Sequence, residues 1–507
     1  MLTKAYAAAV LGIGAEPVEI EVSLVASEDP RTRVVGLPDA AVKESIDRVR
    51  SALRNSGFKL KPCSVTINLA PADLRKEGPV YDLPIALALL AAGSDCRLPS
   101  LAQVPVLGEL ALSGEVRRVR GVLPIVLALR KAGFNTVMVP QANADEAALV
   151  EGVDVWPVAT LRQAVEILSG LQPPEVHPCR KALLTEADDG EDFADIKGQA
   201  AARRAIEVAV SGGHNLLMIG SPGSGKTMLA RRIPSILPPL SAEEALEVTA
   251  IHSVAGTLRG AVITRRPFRA PHHTVSDAGL IGGGAHPSPG EVSLAHRGVL
   301  FLDELPEFHR RVLEVLRQPL EDGAVTIARS AGTLTFPADF MLVAAMNPCP
   351  CGYAGDPKRA CRCAEAAVRN YRARVSGPLL DRIDLHIDVP SVPFEALADK
   401  APGEPSAAIR ARILKVRAIQ AERYRHLPGI RCNADLPAGK LQTFCPMEPA
   451  AAAILRSAMD ELALTARAYT RILRVARTIA DMAGAELIAQ AHLFEAIQYR
   501  SLDRAAW

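Results

Sequence analysis

The eight residues Gly220-Ser-Pro-Gly-Ser-Gly-Lys-Thr227 constrain this chain more than any other segment. They fit the pattern G-x-x-x-x-G-K-[ST], and their flanks fit it too. The apolar run Asn215-Leu-Leu-Met-Ile219 precedes them, and Met228-Leu-Ala-Arg-Arg232 opens a helical pattern after them. A strand, a glycine-rich turn and a helix N-terminus in that order make a phosphate cradle. Gly220, Gly223 and Gly225 let the backbone curl, so that its N–H groups, Ser224 included, face an anion favoured by the helix dipole. Lys226 can reach the β- and γ-phosphates of a nucleotide such as ATP, and Thr227 can ligate Mg²⁺.

A second segment supports the first. Val299-Leu-Phe-Leu302 reads as a buried strand, and it runs straight into Asp303 and Glu304. Two carboxylates there suit two tasks: Asp303 holds the metal and Glu304 orients and deprotonates an attacking water. A third apolar run, Phe340 to Met346, ends in Asn347, an amide able to position that water. Continuous apolar runs of this length suit strands buried on both faces of a parallel sheet.

The chain has 507 residues, a length that predicts about three domains. Four blocks separate by composition: 1–172, a linker at 173–192 rich in Asp and Glu, 193–390, and a mostly helical 391–507. Lys plus Arg is 58 against 56 Asp plus Glu, which excludes a polybasic protein but leaves room for a local basic patch. Aromatics at 4% argue against extensive stacking platforms for single strands. The cysteine count, nine, is odd, which fits a reducing compartment better than a disulfide framework. Val18, Ile20, Val22 and Leu24 alternate with polar residues, so the N-terminal stretch reads as strand and not as a leader. The apolar stretch Leu83 to Gly93 is too short to span a bilayer. The expectation is a cytoplasmic protein with no membrane segment.

Blocks 193–390 and 391–507 resemble the Mg-chelatase-like branch of AAA+ ATPases. The resemblance rests on the segments above together with Leu379-Leu-Asp-Arg382-Ile-Asp-Leu385 and Thr465-Ala-Arg467. It implies that Arg382 acts as an arginine finger on a neighbouring subunit's ATP, that Arg467 is a sensor arginine on the lid, and that the protein forms a homo-oligomer, a hexameric ring. A finger supplied in trans is physically reasonable, because a guanidinium neutralises charge developing on the transferred phosphoryl. Arg265 to Pro289 resembles the helix-2 insert of this branch. Glu321 to Pro337 reads as a β-hairpin around Arg329 and Gly332, resembling a pore-lining hairpin.

Block 1–172 resembles the Lon protease domain through Arg75-Lys-Glu-Gly-Pro79, Ser113 to Ile125 and Ala132 to Pro140. Lon uses a Ser–Lys dyad. Aligned through Gly78-Pro79 the serine position falls on Val80, and aligned through Leu123-Pro-Ile125 the lysine position falls on Leu129. Neither can be nucleophile or base. The implied fold class is α/β: a three-layer P-loop AAA+ core with a helical lid, preceded by a smaller α+β Lon-like domain without the dyad. Nearly the whole chain resembles the ComM/YifB group of bacterial Mg-chelatase-like ATPases. That implies an ATP-driven motor acting on branched or forked DNA, by branch migration or helicase activity in recombination and natural transformation. A metal-chelatase motor subunit and a protein-remodelling ATPase remain alternatives.

Cys349-Pro-Cys351 and Cys361-Arg-Cys363 place four thiols within fifteen residues, enough for a tetrahedral Zn²⁺ site, although C-x-C pairs are tighter than the common C-x₂-C. Reduced cysteines in a loop are the plainer alternative. Arg410, Arg412, Lys415, Arg417, Arg423 and Arg425 form a basic helical run, either a solvated face or a nucleic-acid track.

Overall fold

The computed structural model describes residues 2–27, 31–60, 62–94, 96–179, 190–284, 287–329, 332–356, 358–393, 403–461 and 464–500. The chain forms two compact units, each discontinuous in sequence. The first takes Met1–Thr185 with Ser241–Ile263 and Ala328–Thr335. The second takes Glu186–Leu240, Thr264–Ile327 and Phe336–Trp507. Residues 180–189, half of the acidic linker, and the side chain of Arg329 lie outside the described residues.

The first unit begins with the alternating strand that the sequence predicts. Leu2–Leu11 and Gly14–Ala26 pair antiparallel, turning at Gly12 with φ +65°. Val18, Ile20 and Val22 are fully buried on one face. Cys63–Ala70 pairs antiparallel with Gly14–Ala26, and Thr32–Val35 completes the four-stranded sheet in parallel. Helix Ala40–Asn55 starts at Asp39, whose carboxylate accepts from the Val42 N–H at 2.7 Å as an N-cap. The apolar stretch at 83–93 becomes helix Asp82–Gly93, buried nearly all round within the core. No described helix is long and apolar enough to cross a membrane.

Helix Ala242–Ala255 also belongs to this first unit. Ser241 and Glu244 close a capping box at its start, and Gly256 in the left-handed region ends it. It packs on helix Val122–Lys131. Buried Glu146 joins the two: it accepts from the Ser253 hydroxyl, from Leu123 N–H at 3.0 Å and from the Asn143 amide at 3.1 Å. A buried carboxylate persists only with its lone pairs filled in this way.

The second unit is built on a five-stranded parallel sheet. Its order is Phe268–Arg269, Val299–Leu302, Met341–Met346, Leu216–Ile219, Leu385–Asp388. The three central strands are buried at every residue, which is why their sequences carry no polar alternation. The expected hairpin is present as Ala324–Arg329 and Gly332–Pro337. Helices Ser406–Tyr424, Pro449–Glu461, Ala466–Met482 and Gln490–Gln498 share one apolar cluster with the sheet.

On the basic run of helix Ser406–Tyr424, Arg412 and Lys415 are exposed, as a solvated face requires, and four of the arginines also bind within their own unit. Arg412 binds Glu207 at 2.7 Å, Arg410 donates to Ser235 O and Arg417 to Val210 O, both at 2.8 Å, and Arg423 reaches Asp481 at 2.8 Å. These guanidiniums fasten the helix to its own unit. Asp481 also takes Nε of the buried Arg477 at 3.0 Å and the Asn433 amide at 2.9 Å. Replacing one partner of such a group leaves uncompensated buried charge. Asp481→Ala is expected to destabilise the second unit by roughly 3–5 kcal/mol. Urea denaturation followed by circular dichroism would show an unchanged midpoint if the network were dispensable.

Candidate nucleotide site

Three strand ends converge. The strand Leu216–Ile219 leads into the glycine-rich loop, its neighbour Met341–Met346 leads to Asn347, and the next strand, Val299–Leu302, leads to Asp303 and Glu304. All run parallel, so all three present their C-terminal ends together, where open α/β sheets bind ligands. Gly223 and Gly225 have φ +77° and +93°, which a side chain would resist. They deliver the chain into helix Lys226–Ile236.

The side chains form a connected set. Thr227 Oγ1 donates to Asp303 Oδ2 at 2.7 Å. Lys226 is buried, and its Nζ donates to Gly220 O at 2.6 Å, to Ser221 O at 3.1 Å and to Asn347 Oδ1 at 3.3 Å. Burial pushes the ammonium below its ordinary pKa, and the charges of Asp303 and Glu304 oppose that. Ser224 is 1% exposed, and its buried hydroxyl has no hydrogen-bond partner among the described residues. An orphan hydroxyl, a lysine satisfied by carbonyls and a hydroxyl–carboxylate pair fit a Mg–nucleotide, which could take up all three. Gln199 braces the loop by donating to Ser224 O at 3.1 Å and to Pro390 O at 2.6 Å.

Glu304 sits in the left-handed region at φ +53°, half-exposed, with His273 Nδ1 3.6 Å from its Oε2. Sequence reasoning missed His273. Its signal was the position of Pro-His-His just past the edge strand Phe268–Arg269, which pairs with the Asp303 strand.

The two arginines expected to act on nucleotide pair elsewhere in the single chain. Arg382 is 4% exposed, ion-paired with Glu321, and donates to Pro378 O at 2.5 Å. Arg467 is exposed, 3.6 Å from Asp381. One turn on, Arg471 pairs with the buried Asp384, and Arg474 donates to Leu436 O at 2.8 Å.

The four cysteines come together. Their Sγ atoms all lie within 4.8 Å, with Cys349, Cys351 and Cys361 only 3.4–3.6 Å apart. A tetrahedron of thiolates at about 2.3 Å from zinc has edges near 3.8 Å, so the grouping suits that ion. Backbone N–H groups also point at sulfur: Ala354 to Cys349 at 3.3 Å and Cys363 to Cys361 at 3.4 Å. Those of Arg362 and Tyr353 lower the Cys351 thiol to about 6. No disulfide forms among the described residues.

Comparison with known proteins accords with this arrangement. Residues 192–397 match the family described as magnesium chelatase, subunit ChlI, residues 18–143 match subunit ChlI of Mg-chelatase, and residues 403–500 match its C-terminal region. The chain is 44% identical over 508 residues to competence protein ComM of Haemophilus influenzae, covering 98% of this chain and 97% of that one. It is 43% identical over 510 residues to YifB of Escherichia coli, covering 99% and 98%. Lon protease 2 of Bacillus subtilis is 25% identical over 177 residues, 32% of this chain and 31% of that protein. The fold is therefore mixed α/β, with a Mg-chelatase-type AAA+ domain and homology to Lon protease.

A Mg–nucleotide in this cradle would replace the Thr227–Asp303 bond with metal ligation. Thr227→Ala is expected to weaken Mg²⁺-dependent binding of a fluorescent ATP analogue roughly tenfold, the scale of a lost charge-assisted bond. Binding without Mg²⁺ should change far less. Equal losses with and without the metal would remove Thr227 from the metal site.

Proposed function

The chain belongs to the ComM/YifB family of magnesium-chelatase-like ATPases, and from that premise we propose a ring-forming motor that hydrolyses ATP to move DNA strands. The observation that supports this reading best is the connected set Lys226–Asn347 and Thr227–Asp303 at three adjacent strand ends. Thr227 and Asp303 would hold Mg²⁺, which neutralises phosphate charge when bound. The loop N–H groups from Gly220 to Gly225 hold the β- and γ-phosphates with Lys226. Asn347 aligns the attacking water, and Glu304 takes its proton.

Arg382 completes the site from a neighbouring subunit. In the single chain its guanidinium is held by Glu321, so assembly exchanges a carboxylate for phosphate. Arg467 serves as the lid sensor. The oligomer is a homohexamer in this reading, and the compartment is the cytoplasm. DNA as partner follows from the resemblance and from the relative named as a competence protein; branch migration of forked or branched DNA is the activity proposed. Peptidase chemistry is excluded from it, because the aligned positions hold Val80 and Leu129, both buried hydrocarbon. Cys349, Cys351, Cys361 and Cys363 bind zinc in the same reading, ordering their loop.

Glu304→Gln should retain nucleotide and lose turnover by roughly a hundredfold or more. Arg382→Ala should do likewise. Mixing the two inactive chains should restore turnover above either alone, because one supplies the finger and the other the base. Forked DNA should stimulate the wild-type ATPase and be migrated. Failure to bind DNA in every nucleotide state would sink the DNA reading. Mg²⁺ insertion into a porphyrin with candidate partner subunits would favour a chelatase motor, and threading of a polypeptide a protein-remodelling one.

A further inference from the structure

The cysteine loop does not stand apart from the nucleotide loop. Its first thiol, Cys349, follows Asn347 by two residues, past the end of the strand beside the one that feeds Gly220. Two contacts then bind it to the phosphate cradle. Ser221 Oγ, inside the glycine-rich loop, donates to Asp356 Oδ2 at 2.6 Å. Gly352, next to Cys351, lies against Pro222: a Cβ there would come 2.5 Å from Pro222 Cδ, and its φ of +84° also favours glycine.

Asp356 is well held. Its other oxygen accepts the N–H groups of Lys358 at 2.8 Å and Arg359 at 3.0 Å. The Ser221 hydroxyl, with these two N–H groups, keeps its carboxyl below the ordinary range. Yet no helix or strand is formed by the described residues between Cys351 and Cys361. What joins the two ends of this loop is the meeting of its C-x-C pairs, with Arg359 Nη1 donating to the Tyr353 hydroxyl at 2.7 Å inside it. Remove that closure, and the chain that positions Gly352 and Asp356 gains conformational freedom.

We propose that the four-thiolate zinc centre is a latch on the nucleotide loop: by closing the 349–363 loop it fixes Gly352 on Pro222 and Asp356 on Ser221, and so preorganises the cradle for phosphate. The proposal rests on the zinc reading above. Its logic is that of any preorganised site. A loop already in its bound shape binds without the entropy loss of ordering it. Metal loss should therefore weaken nucleotide binding and raise KM for ATP, while turnover at saturating ATP changes little. A centre serving only to present Lys358, Arg359 and Arg362 to nucleic acid would instead alter DNA affinity alone.

The test uses the full chain. Zinc is quantified by elemental analysis and by release to a chromogenic chelator on mercurial titration of the thiols. Nucleotide affinity is read by titration with a fluorescent ATP analogue and Mg²⁺, before and after metal removal and after zinc is restored. Asp356→Ala, which keeps every thiol, guards against misfolding of cysteine variants. One zinc per chain is expected in wild type and in Asp356→Ala. Nucleotide affinity should fall roughly fivefold in Asp356→Ala, the scale of one lost hydrogen bond, and at least as much on zinc removal, with recovery on its return. Stoichiometric zinc with unchanged nucleotide affinity in both cases would overturn the latch and leave the zinc reading intact. Absence of zinc would overturn both, and neither result bears on ATP hydrolysis or DNA binding by wild type.

Discussion

The hydrogen bond from Thr227 to Asp303 bridges two strands that are not neighbours. The strand Met341–Met346 lies between theirs, and its end carries Asn347, bonded to Lys226. The sheet order thus determines the chemistry. Inserting the Asn347 strand between the other two puts an amide beside Lys226, on the strand between the one that feeds the glycine-rich loop and the one that ends in two carboxylates. Parallel strands are needed, because only they bring three C-terminal ends to one edge. Burial of all three on both faces holds the ends in fixed relation.

The site was legible in the sequence because its parts are short and each ends a buried strand. The glycine-rich loop, Asp303 with Glu304, and Asn347 each follow an apolar run whose length and lack of alternation give the strand away. The thiol cluster was legible as a possibility from spacing, but spacing could not show four sulfurs within one grouping or the N–H groups aimed at them. The contacts of His273 and Asp356 were hidden, although the place of Pro-His-His past an edge strand was a signal for the first. Each meets a residue distant in sequence, and neither carries a local pattern that marks its partner.

The discontinuity of the units was equally hidden. Helix Ala242–Ala255 follows the nucleotide-loop helix in sequence, with an ordinary capping box and apolar content, so nothing local assigns it to one core or the other. Its place follows from long-range contacts: Ala250 joins the first core, and Glu146, more than ninety residues earlier, takes the Ser253 hydroxyl. In the same unit, the two positions where the proposal places the lost dyad, Val80 and Leu129, are filled by packing. Val80 is 8% exposed and Leu129 1%, so each contributes to a continuous apolar core. A polar nucleophile or a lysine placed there would need partners that this core does not offer.

Charge balance also takes a different meaning. The excess of two positive charges first suggests that basic patches must be offset by acidic segments elsewhere. On helix Ser406–Tyr424 the offset is local: Arg412 meets Glu207 and Arg423 meets Asp481, while Arg410 and Arg417 cap carbonyls. While Arg412 keeps a side chain 46% exposed, Arg423, 20% exposed, is held against the buried Asp481 and has gained its counter-charge within the fold. It adds little to the counterion release that drives binding to a phosphate backbone. Arg423 is therefore committed inside the fold, whereas the exposed Arg412 and Lys415 still face solvent.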